Sequence, residues 1–279
     1  MASNLLITLV LCICCLPAAI ISTQAAVDAI LGQARARGGP ILVVSDYNGV
    51  LVEKVKGRET SPRYMEYVRS NVLSPLTRTQ HTVYVASSKP ASQLQTLLGD
   101  VPRLGLSAEH DMMNKAPDSH QFSPTIIGSR TWQERFSRMR IPNDWKVKGE
   151  HQFSKIIQFP EGYDRNRARG FLAAELNRVG AREFEAVLDQ DKNQVMLAHK
   201  GRGKGKVVEG QLQTGRFRYG ISFGDKAADV GMHQAMQQRG FAGVIVGPRL
   251  GHQAASMGLF HLEGPDEVHA VLQGLAQIR

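Results

Sequence analysis

The stretch that decides the fold is ILVVSDYNGVLV, residues 41–52. Its apolar run ends at Ser45, Asp46 follows at once, and Asn48 comes two residues later. A short apolar run that stops at polar residues predicts a buried β-strand, and Gly49 allows a sharp turn after it. The carboxyl ends of parallel strands form a ligand crevice. The stretch therefore predicts a strand that presents Asp46 to such a crevice, although a lone Asp there is also compatible with a turn or a helix cap.

Strand-like and helix-like segments alternate along most of the chain. Further strands are predicted at residues 82–86, 219–223 and 243–246. Helical patterns are predicted at residues 61–73, 90–98, 206–212, 227–238 and 265–276. Fully apolar strands that alternate with helices are typical of a parallel sheet covered on both faces. We therefore predict an α/β fold with a Rossmann-like, doubly wound parallel sheet as its core.

One long segment, residues 108–200, interrupts this alternation. It contains amphipathic strand candidates at residues 145–159 and 184–198, with a helix candidate at residues 165–178 between them. We predict that it is an inserted α+β cap domain, and that residues 27–107 and 201–279 form the core. The alternative is one larger continuous domain.

The N-terminal segment has the character of an export signal. No charged residue precedes Asp28, residues 5–21 are almost entirely apolar, and small side chains follow. We predict a signal peptide over residues 1–26, cleaved near Ala25 or Ala26, and hence a chain that is secreted or enters the secretory pathway. A retained membrane anchor and a wrongly assigned start are the alternatives. All cysteines lie inside this segment, so the mature chain would contain none: Cys12, Cys14 and Cys15.

The formal net charge is +9, which is compatible with an anionic partner. Basic residues cluster at residues 130–169 and 200–218 rather than in a tail, and aromatic residues make up only 6% of the chain. This distribution argues against a nucleic-acid binder. It fits a field that attracts a small phosphate ester, or simply a solvated face. We expect a monomer without stable membrane contact once the signal is removed.

Three polar positions in the predicted core accompany Asp46 in an order that fits phosphate chemistry. Ser87 follows the second strand and offers a hydroxyl group to a phosphoryl oxygen. Lys204, in a glycine-rich loop, offers a positive charge that would neutralise Asp46 and the phosphoryl group. Asp225 ends a later strand and would hold Mg²⁺ together with Asp46. Asp46 itself would attack phosphorus and form an aspartyl-phosphate, and we expect Asp46 and Asp225 to face each other.

These motifs resemble those of the haloacid dehalogenase superfamily and, within it, of the trehalose-6-phosphate phosphatases. The resemblance covers residues 40–277 and lies in six stretches: DYNGV at 46–50, SSKP at 87–90, EHD at 109–111, KG at 204–205, GDKAADV at 224–230, and FHL at 260–262 followed by PDEV at 265–268. It implies a Mg²⁺-dependent sugar-phosphate phosphatase that converts trehalose-6-phosphate to trehalose and phosphate.

The resemblance also implies roles for individual residues. Asp46 and Asn48 would be the catalytic pair, Ser87 and Lys204 would bind phosphate, and the metal ligands would be Asp46, Asn48 and Asp225. Weaker matches to substrate-binding positions are Glu109, His110, Lys148, Glu150 and Asp229.

Three departures from the family pattern favour an alternative function. Asn48 replaces the second Asp, the general acid/base, and an amide cannot exchange a proton. Lys226 replaces a carboxylate beside the metal and should weaken Mg²⁺ binding unless it points away. In the cap, VKGE at residues 147–150 reverses the charges of the family's Glu-x-Lys pattern. The alternative is a catalytically impaired phosphatase fold that acts in sugar-phosphate binding or regulation.

Overall fold

The strand that ends at Asp46 lies in the middle of the larger of two sheets. The computed structural model describes residues 23–55, 57–58, 61–126, 129–148, 151–189 and 192–278. Its strands are β1 (Ile41–Asp46), β2 (Thr82–Ala86), β3 (Leu104–Ala108), β4 (Met113–Lys115), β5 (Ser123–Pro124), β6 (Lys146–Lys148), β7 (Lys155–Gln158), β8 (Phe184–Leu188), β9 (Gln194–His199), β10 (Tyr219–Gly224), β11 (Ala242–Val246) and β12 (Phe260–Leu262). Its α-helices are α1 (Thr23–Arg37), α2 (Pro62–Tyr67), α3 (Ser74–Thr77), α4 (Ala91–Leu98), α5 (Ser129–Ser137), α6 (Arg165–Arg178), α7 (Lys204–Leu212), α8 (Val230–Gln237), α9 (Pro248–Ala254) and α10 (Pro265–Leu275).

The larger sheet has the strand order β12-β11-β10-β1-β2-β3-β4-β5. Strands β12 to β3 in this order are parallel, and β4 and β5 extend the sheet in antiparallel fashion. From β1 the chain builds outward through β2 and β3, and later returns to the other side of β1 with β10. Such a reversal of strand order opens a crevice at the carboxyl ends of the two central strands. The crevice therefore lies between the ends of β1 and β10.

Both faces of the sheet are covered, as the predicted doubly wound fold requires. Ile41 and Val43 belong to one apolar cluster, whereas Leu42 and Val44 belong to another cluster together with residues of α7 and α8. Successive side chains of a strand point to opposite faces, so β1 has apolar neighbours on each side. The apolar run of β1 is the sequence signature of this double burial, and the predicted α/β fold is confirmed.

The helices follow the predicted pattern with two differences. The predicted helix at residues 61–73 consists of α2 and a π-helical stretch, Val68–Leu73, which leads into α3. Pro75 has no N–H to donate, which interrupts regular α-helical bonding in this region. The second difference is a 3₁₀ turn, Ala227–Asp229, in place of the first turn of α8. The elements that were not predicted are β3, β4, β5, α1, α5 and α9.

The smaller sheet is antiparallel, with the order β6-β7-β9-β8. Helix α6 packs against β8 and begins at Asp164, whose side chain accepts a hydrogen bond of 2.6 Å from the N–H of Arg167. The sheet and α6 lie within the insertion predicted at residues 108–200. Strands β4 and β5 also lie within that range, but they hydrogen-bond to the larger sheet.

Helix α1 overlaps the end of the predicted signal peptide. It packs against α10, and Ala26 and Val27 are buried in the core. The apolar segment that carries the prediction, residues 5–21, lies outside the described residues. Within the described part of the chain, no helix combines the length and the apolar character needed to cross a membrane.

Candidate active site

Three carboxylates meet at the end of the β1–β10 crevice. Asp46 ends β1, Asp225 follows β10, and Asp229 ends the 3₁₀ turn that comes next. One oxygen from each lies within 4.8 Å of the others, and all three residues are buried. Asp46 and Asp225 come together, as expected from the sequence, because β1 and β10 are neighbours with parallel register.

The ammonium group of Lys204 forms ion pairs with two of these carboxylates. Its Nζ lies 2.7 Å from Oδ1 of Asp46 and 2.6 Å from Oδ1 of Asp229, and its side chain is fully buried. The backbone position at the start of α7 follows Gly203, whose φ of 146° is easily reached only by glycine. Lys204 therefore neutralises Asp46, as expected from the sequence, whereas its predicted role in binding phosphate stays a prediction.

Lys226 points into the site rather than away from it. Its Nζ lies 3.3 Å from Oδ2 of Asp46. Burial alone would raise the pKa of Asp46, but the charges of Lys204 and Lys226 outweigh it and hold this pKa well below its usual range. Burial works against the charge of Lys226 as well, yet the carboxylates of Asp46, Asp229 and Asp225 raise its pKa. Asp46 and Lys226 are thus both charged and form an ion pair.

Lys54 is a further member of the site that the sequence analysis missed. Its Nζ forms an ion pair with Oδ2 of Asp225. Gly49 makes room for this pair, because a Cβ at Gly49, where φ is 84°, would lie 2.7 Å from Oδ2 of Asp225 and 2.8 Å from Cε of Lys54. Nothing in the sequence distinguishes Lys54 from surface lysines, since only the turn through Gly49 brings it back to the crevice.

Ser87 and Asn48 lie on the loops that follow β2 and β1. Ser87 is buried, and its Oγ accepts a hydrogen bond of 3.2 Å from the N–H of Lys89, which leaves the hydroxyl hydrogen to donate to another acceptor. Asn48 is partly exposed and forms an isolated β-bridge with Val52. The catalytic and metal-binding roles of Asn48 and the phosphate-binding role of Ser87 stay predictions.

Glu109 has a structural task. Its Oε1 accepts a hydrogen bond of 2.9 Å from the N–H of Gln152, and its Oε2 accepts one of 2.7 Å from the N–H of Phe153. Residues 151–153, which we call the cap loop, are thereby tied to the end of β3. The same loop is fastened by His151, whose Nε2 lies 3.0 Å from the carbonyl oxygen of Ser88. Both oxygens of the buried Glu109 are used in this way.

Three further residues were predicted to contact substrate: His110, Lys148 and Glu150. His110 follows Glu109 in the left-handed region, with φ of 58°. Burial and the charges of Lys204 and Lys226 lower its pKa to about 3, so its imidazole is neutral. Lys148 is exposed on β6, in the smaller sheet, and Glu150 lies outside the described residues.

Asp229 was predicted to contact substrate, and the structure gives it another environment. It is 0% exposed. Besides Lys204, it binds the backbone: its Oδ2 accepts hydrogen bonds of 3.0 Å from the N–H of Asp225 and 3.2 Å from the N–H of Lys226. A carboxylate so enclosed supports the turn that carries Asp225 and Lys226; its predicted contact with substrate stays a prediction.

The acidic cluster of Asp46, Asp225 and Asp229 has the oxygen ligands of a Mg²⁺ site, but it lacks the net negative charge of such a site. Carboxylate oxygens are the ligands that Mg²⁺ prefers, and Oδ1 of Asp225 is buried without a hydrogen-bond donor. However, the three carboxylates are already matched by three ammonium groups, those of Lys54, Lys204 and Lys226. Mg²⁺ gives up its water reluctantly, and a neutral cluster offers little attraction in return. As arranged, the site does not fit Mg²⁺.

Comparisons with solved structures place this chain in a known fold. A trehalose-6-phosphate phosphatase from Aspergillus fumigatus superposes with a TM-score of 0.61 at 20% identity, over 90% of this chain and 97% of that chain. The C-terminal domain of a Candida albicans trehalose-6-phosphate phosphatase gives a TM-score of 0.65 at 16% identity, over 91% of this chain and 97% of that chain. The C-terminal domain of the Candida albicans trehalose synthase regulatory protein gives 0.58 at 11% identity, over 85% and 94%.

Sequence comparisons return nothing that would extend this result. No protein-family model matches the chain, and no curated protein matches it. The chain is therefore similar in fold to these phosphatases and to the regulatory domain, with low sequence identity to each.

Proposed function

We propose that this chain binds a sugar phosphate, with trehalose-6-phosphate as the first candidate, and hydrolyses it only slowly. The choice of ligand is supported by the fold shared with trehalose-6-phosphate phosphatases. Slow hydrolysis is supported by the surroundings of Asp46 and by Asn48. That a regulatory domain has the same fold is in keeping with such a role.

The site has groups suited to a phosphate ester. Ser87 and the ammonium groups of Lys54, Lys204 and Lys226 lie on the loops and helix that surround Asp46. Hydrogen bonds from charged donors to phosphate are about twice as strong as neutral ones. Lys54 and Lys226 are partly exposed, with 41% and 28% of their side-chain surface accessible. They can therefore turn from the carboxylates to an incoming phosphate, whereas the buried Lys204 stays in place.

The observation that carries the proposal is the neutralisation of both oxygens of Asp46. Oδ1 accepts from Lys204 and, at 2.6 Å, from the N–H of Tyr47, and Oδ2 faces Lys226. A carboxylate whose pKa is held low in this way is a weak base and hence a poor nucleophile towards phosphorus.

The step after attack is affected as well, because Asn48 stands at the position where the resemblance implies a general acid/base. When the bond from phosphorus to the sugar oxygen breaks, the leaving oxygen needs a proton, and the water that later cleaves the aspartyl-phosphate needs a base. The amide of Asn48 supplies neither. Loss of such a group lowers the rate by about 10²–10⁴-fold.

A fully active Mg²⁺-dependent phosphatase is the second candidate. It is favoured by the cluster of Asp46, Asp225 and Asp229 and by the unbonded Oδ1 of Asp225. In that case Asp46, Asn48 and Asp225 would hold the ion after Lys54 and Lys226 had moved away, and the ion would supply positive charge to the phosphoryl group.

Binding and turnover of trehalose-6-phosphate, measured separately, test the proposal. We expect calorimetry to show binding at least about tenfold tighter than that of trehalose, because charge-assisted bonds to the phosphate account for most of the affinity. Phosphate release should stay below about 0.1 s⁻¹, since a typical kcat of about 10 s⁻¹ would be reduced about 10²-fold or more.

Asp46→Asn is the control for the chemistry. It should abolish the residual release of phosphate and leave binding measurable. A kcat near 10 s⁻¹ in Mg²⁺ would favour the second candidate instead, and absence of binding to the folded wild-type protein would refute both.

A further inference from the structure

We propose that the ammonium groups of Lys54 and Lys226 take the place of a divalent cation in the acidic cluster, so that the site excludes Mg²⁺ and binds phosphate without it. The part of this inference that concerns phosphate rests on the proposed function. The part that concerns Mg²⁺ stands on the geometry of the cluster alone.

Lys226 is held where a metal-bound carboxylate is expected from the sequence motif. It follows Asp225 directly, and Asp229 fixes the backbone of both residues by accepting their N–H groups. The side chain of Lys226 then extends to Oδ2 of Asp46 at 3.3 Å. The position thus provides a positive charge to the nucleophile's carboxylate instead of a negative charge to a cation.

Lys54 approaches the other half of the cluster along a separate path. Its stem passes over Gly49, and its Nζ reaches Oδ2 of Asp225. The pair lines a cavity of about 410 Å³, together with the loops that follow β11 and β12. Lys54 lies in the loop after β1. The protein itself therefore supplies the positive charge that pairs with Asp225, and no ion from solution is needed for it.

The two lysines together supply two positive charges, which is the charge of Mg²⁺. Lys204 supplies the third and balances the remaining carboxylate. An ion between Asp46 and Asp225 would meet an ammonium group on each of these residues. Like charges a few ångströms apart near a protein surface repel each other strongly. Resident ammonium groups and a divalent ion therefore exclude each other from this cluster.

A titration with Mg²⁺ tests the first half. We expect no calorimetric binding of Mg²⁺ to the wild-type protein up to about 10 mM, the range in which weak protein sites still saturate. Lys54→Met, Lys226→Met and the double variant keep the length of the stem but remove the charge. Each removed charge should strengthen Mg²⁺ binding by at least about tenfold, because it leaves an unmatched carboxylate. Lys206→Met is the matched control, since Lys206 forms a surface ion pair with Glu209.

A titration with inorganic phosphate tests the second half. The wild-type protein should bind phosphate equally well in EDTA and in about 10 mM Mg²⁺, the highest concentration of the first titration. The double variant should bind it at least about tenfold more weakly in EDTA and recover when Mg²⁺ is added. Circular dichroism and thermal unfolding show whether each variant is folded. The comparison of EDTA with Mg²⁺ in the wild-type protein tests the inference without any substitution.

The outcomes separate the two proposals. Wild-type protein that binds Mg²⁺ as tightly as the variants, or that needs Mg²⁺ to bind phosphate, overturns the inference. Wild-type protein that binds neither phosphate nor trehalose-6-phosphate in any buffer overturns the proposed function. In that case the Mg²⁺ titration of the wild type and the variants still decides whether the lysines replace the ion.

Discussion

Lys204 and Lys226 form ion pairs with the two oxygens of Asp46, and both charges lower the pKa of this carboxyl group. A buried ion pair gains little net stability because desolvation of both charges offsets their attraction. Removing one partner costs much more, about 3–5 kcal/mol, because a buried charge is left uncompensated. Replacing any one of Asp46, Lys204 and Asp229 by a neutral residue is therefore expected to destabilise the folded protein.

Asn48→Asp should restore part of the missing chemistry. The change provides a group that can protonate the leaving oxygen and then activate water. We expect release of phosphate from trehalose-6-phosphate to rise by at least about tenfold, at the lower end of what a general acid/base supplies. The measurement is single-turnover and steady-state phosphate release with and without Mg²⁺.

The same change in an Asp46→Asn background is the control, and it should be silent. If Asn48→Asp alone has no effect, the lysines rather than the missing proton donor limit the rate. The triple variant Asn48→Asp, Lys54→Met, Lys226→Met then tests that explanation.

At the scale of elements, the loop between β3 and β4 of the larger sheet is hydrogen-bonded to the cap loop, which joins β6 to β7 of the smaller sheet. Glu109, His110 and Asp111 have φ values of 51°, 58° and 72°, a conformation that side-chain-bearing residues rarely adopt. The strain is offset by bonds at both ends: Glu109 holds the cap loop, and Asp111 forms an ion pair of 3.1 Å with Arg202, next to α7. This loop therefore ties the cap loop, and with it the smaller sheet, to the end of β3.

Glu109→Gln should loosen the cap loop without unfolding the sheets. A glutamine accepts one of the two N–H groups but presents its own NH₂ to the other, and an unsatisfied buried donor costs about 1–3 kcal/mol. We expect amide hydrogen exchange at Gln152 and Phe153 to become at least about tenfold faster. Glu161→Gln, an exposed position after β7, is the control. Unchanged exchange at the cap loop would show that Glu109 does not hold it.

At the scale of the whole molecule, burial of histidines couples stability to pH. Burial lowers the pKa of His81 and His269, which hydrogen-bond to backbone carbonyls of Leu275 and Leu51. His233 is the clearest case. It lies on α8, where its Nδ1 is 2.8 Å from Oγ of Ser222 in β10, and burial and the charge of Lys204 lower its pKa to about 4.

The free energy of unfolding should therefore fall as the pH falls from about 6.5 to about 4. In this window the unfolded chain binds a proton at position 233 and the folded chain does not, so acid favours the unfolded state. A shift from 6.5 to about 4 corresponds to about 3 kcal/mol. Above pH 6.5 both states are neutral at this residue, and no further gain is expected from it.

Urea unfolding of the wild-type protein and of His233→Asn at pH 7 and pH 4.5 measures this contribution. The variant should lose about 2 kcal/mol less between the two pH values. The same substitution at the exposed His252 is the control. Equal losses in the wild type and in His233→Asn would contradict the assignment.

The sequence by itself determined the parts of this protein that depend on local pattern. Apolar runs predicted β1, β2, β10 and β11, because a strand buried on both faces needs apolar side chains at every position. Helix α6 matched its predicted bounds, since its start is signalled by the N-cap Asp164. The proximity of Asp46 and Asp225 followed from strand order, which is strongly constrained in parallel sheets.

Only the tertiary structure decided the electrostatics of the site. Lys54, five residues after Gly49, looked like any exposed lysine until the turn brought it onto Asp225. Lys226 could have faced solvent, but the backbone bonds to Asp229 direct it to Asp46. Charge–charge energies depend on distances of a few ångströms between residues far apart in the chain. Sequence patterns record which charges are present, and the fold determines which of them meet.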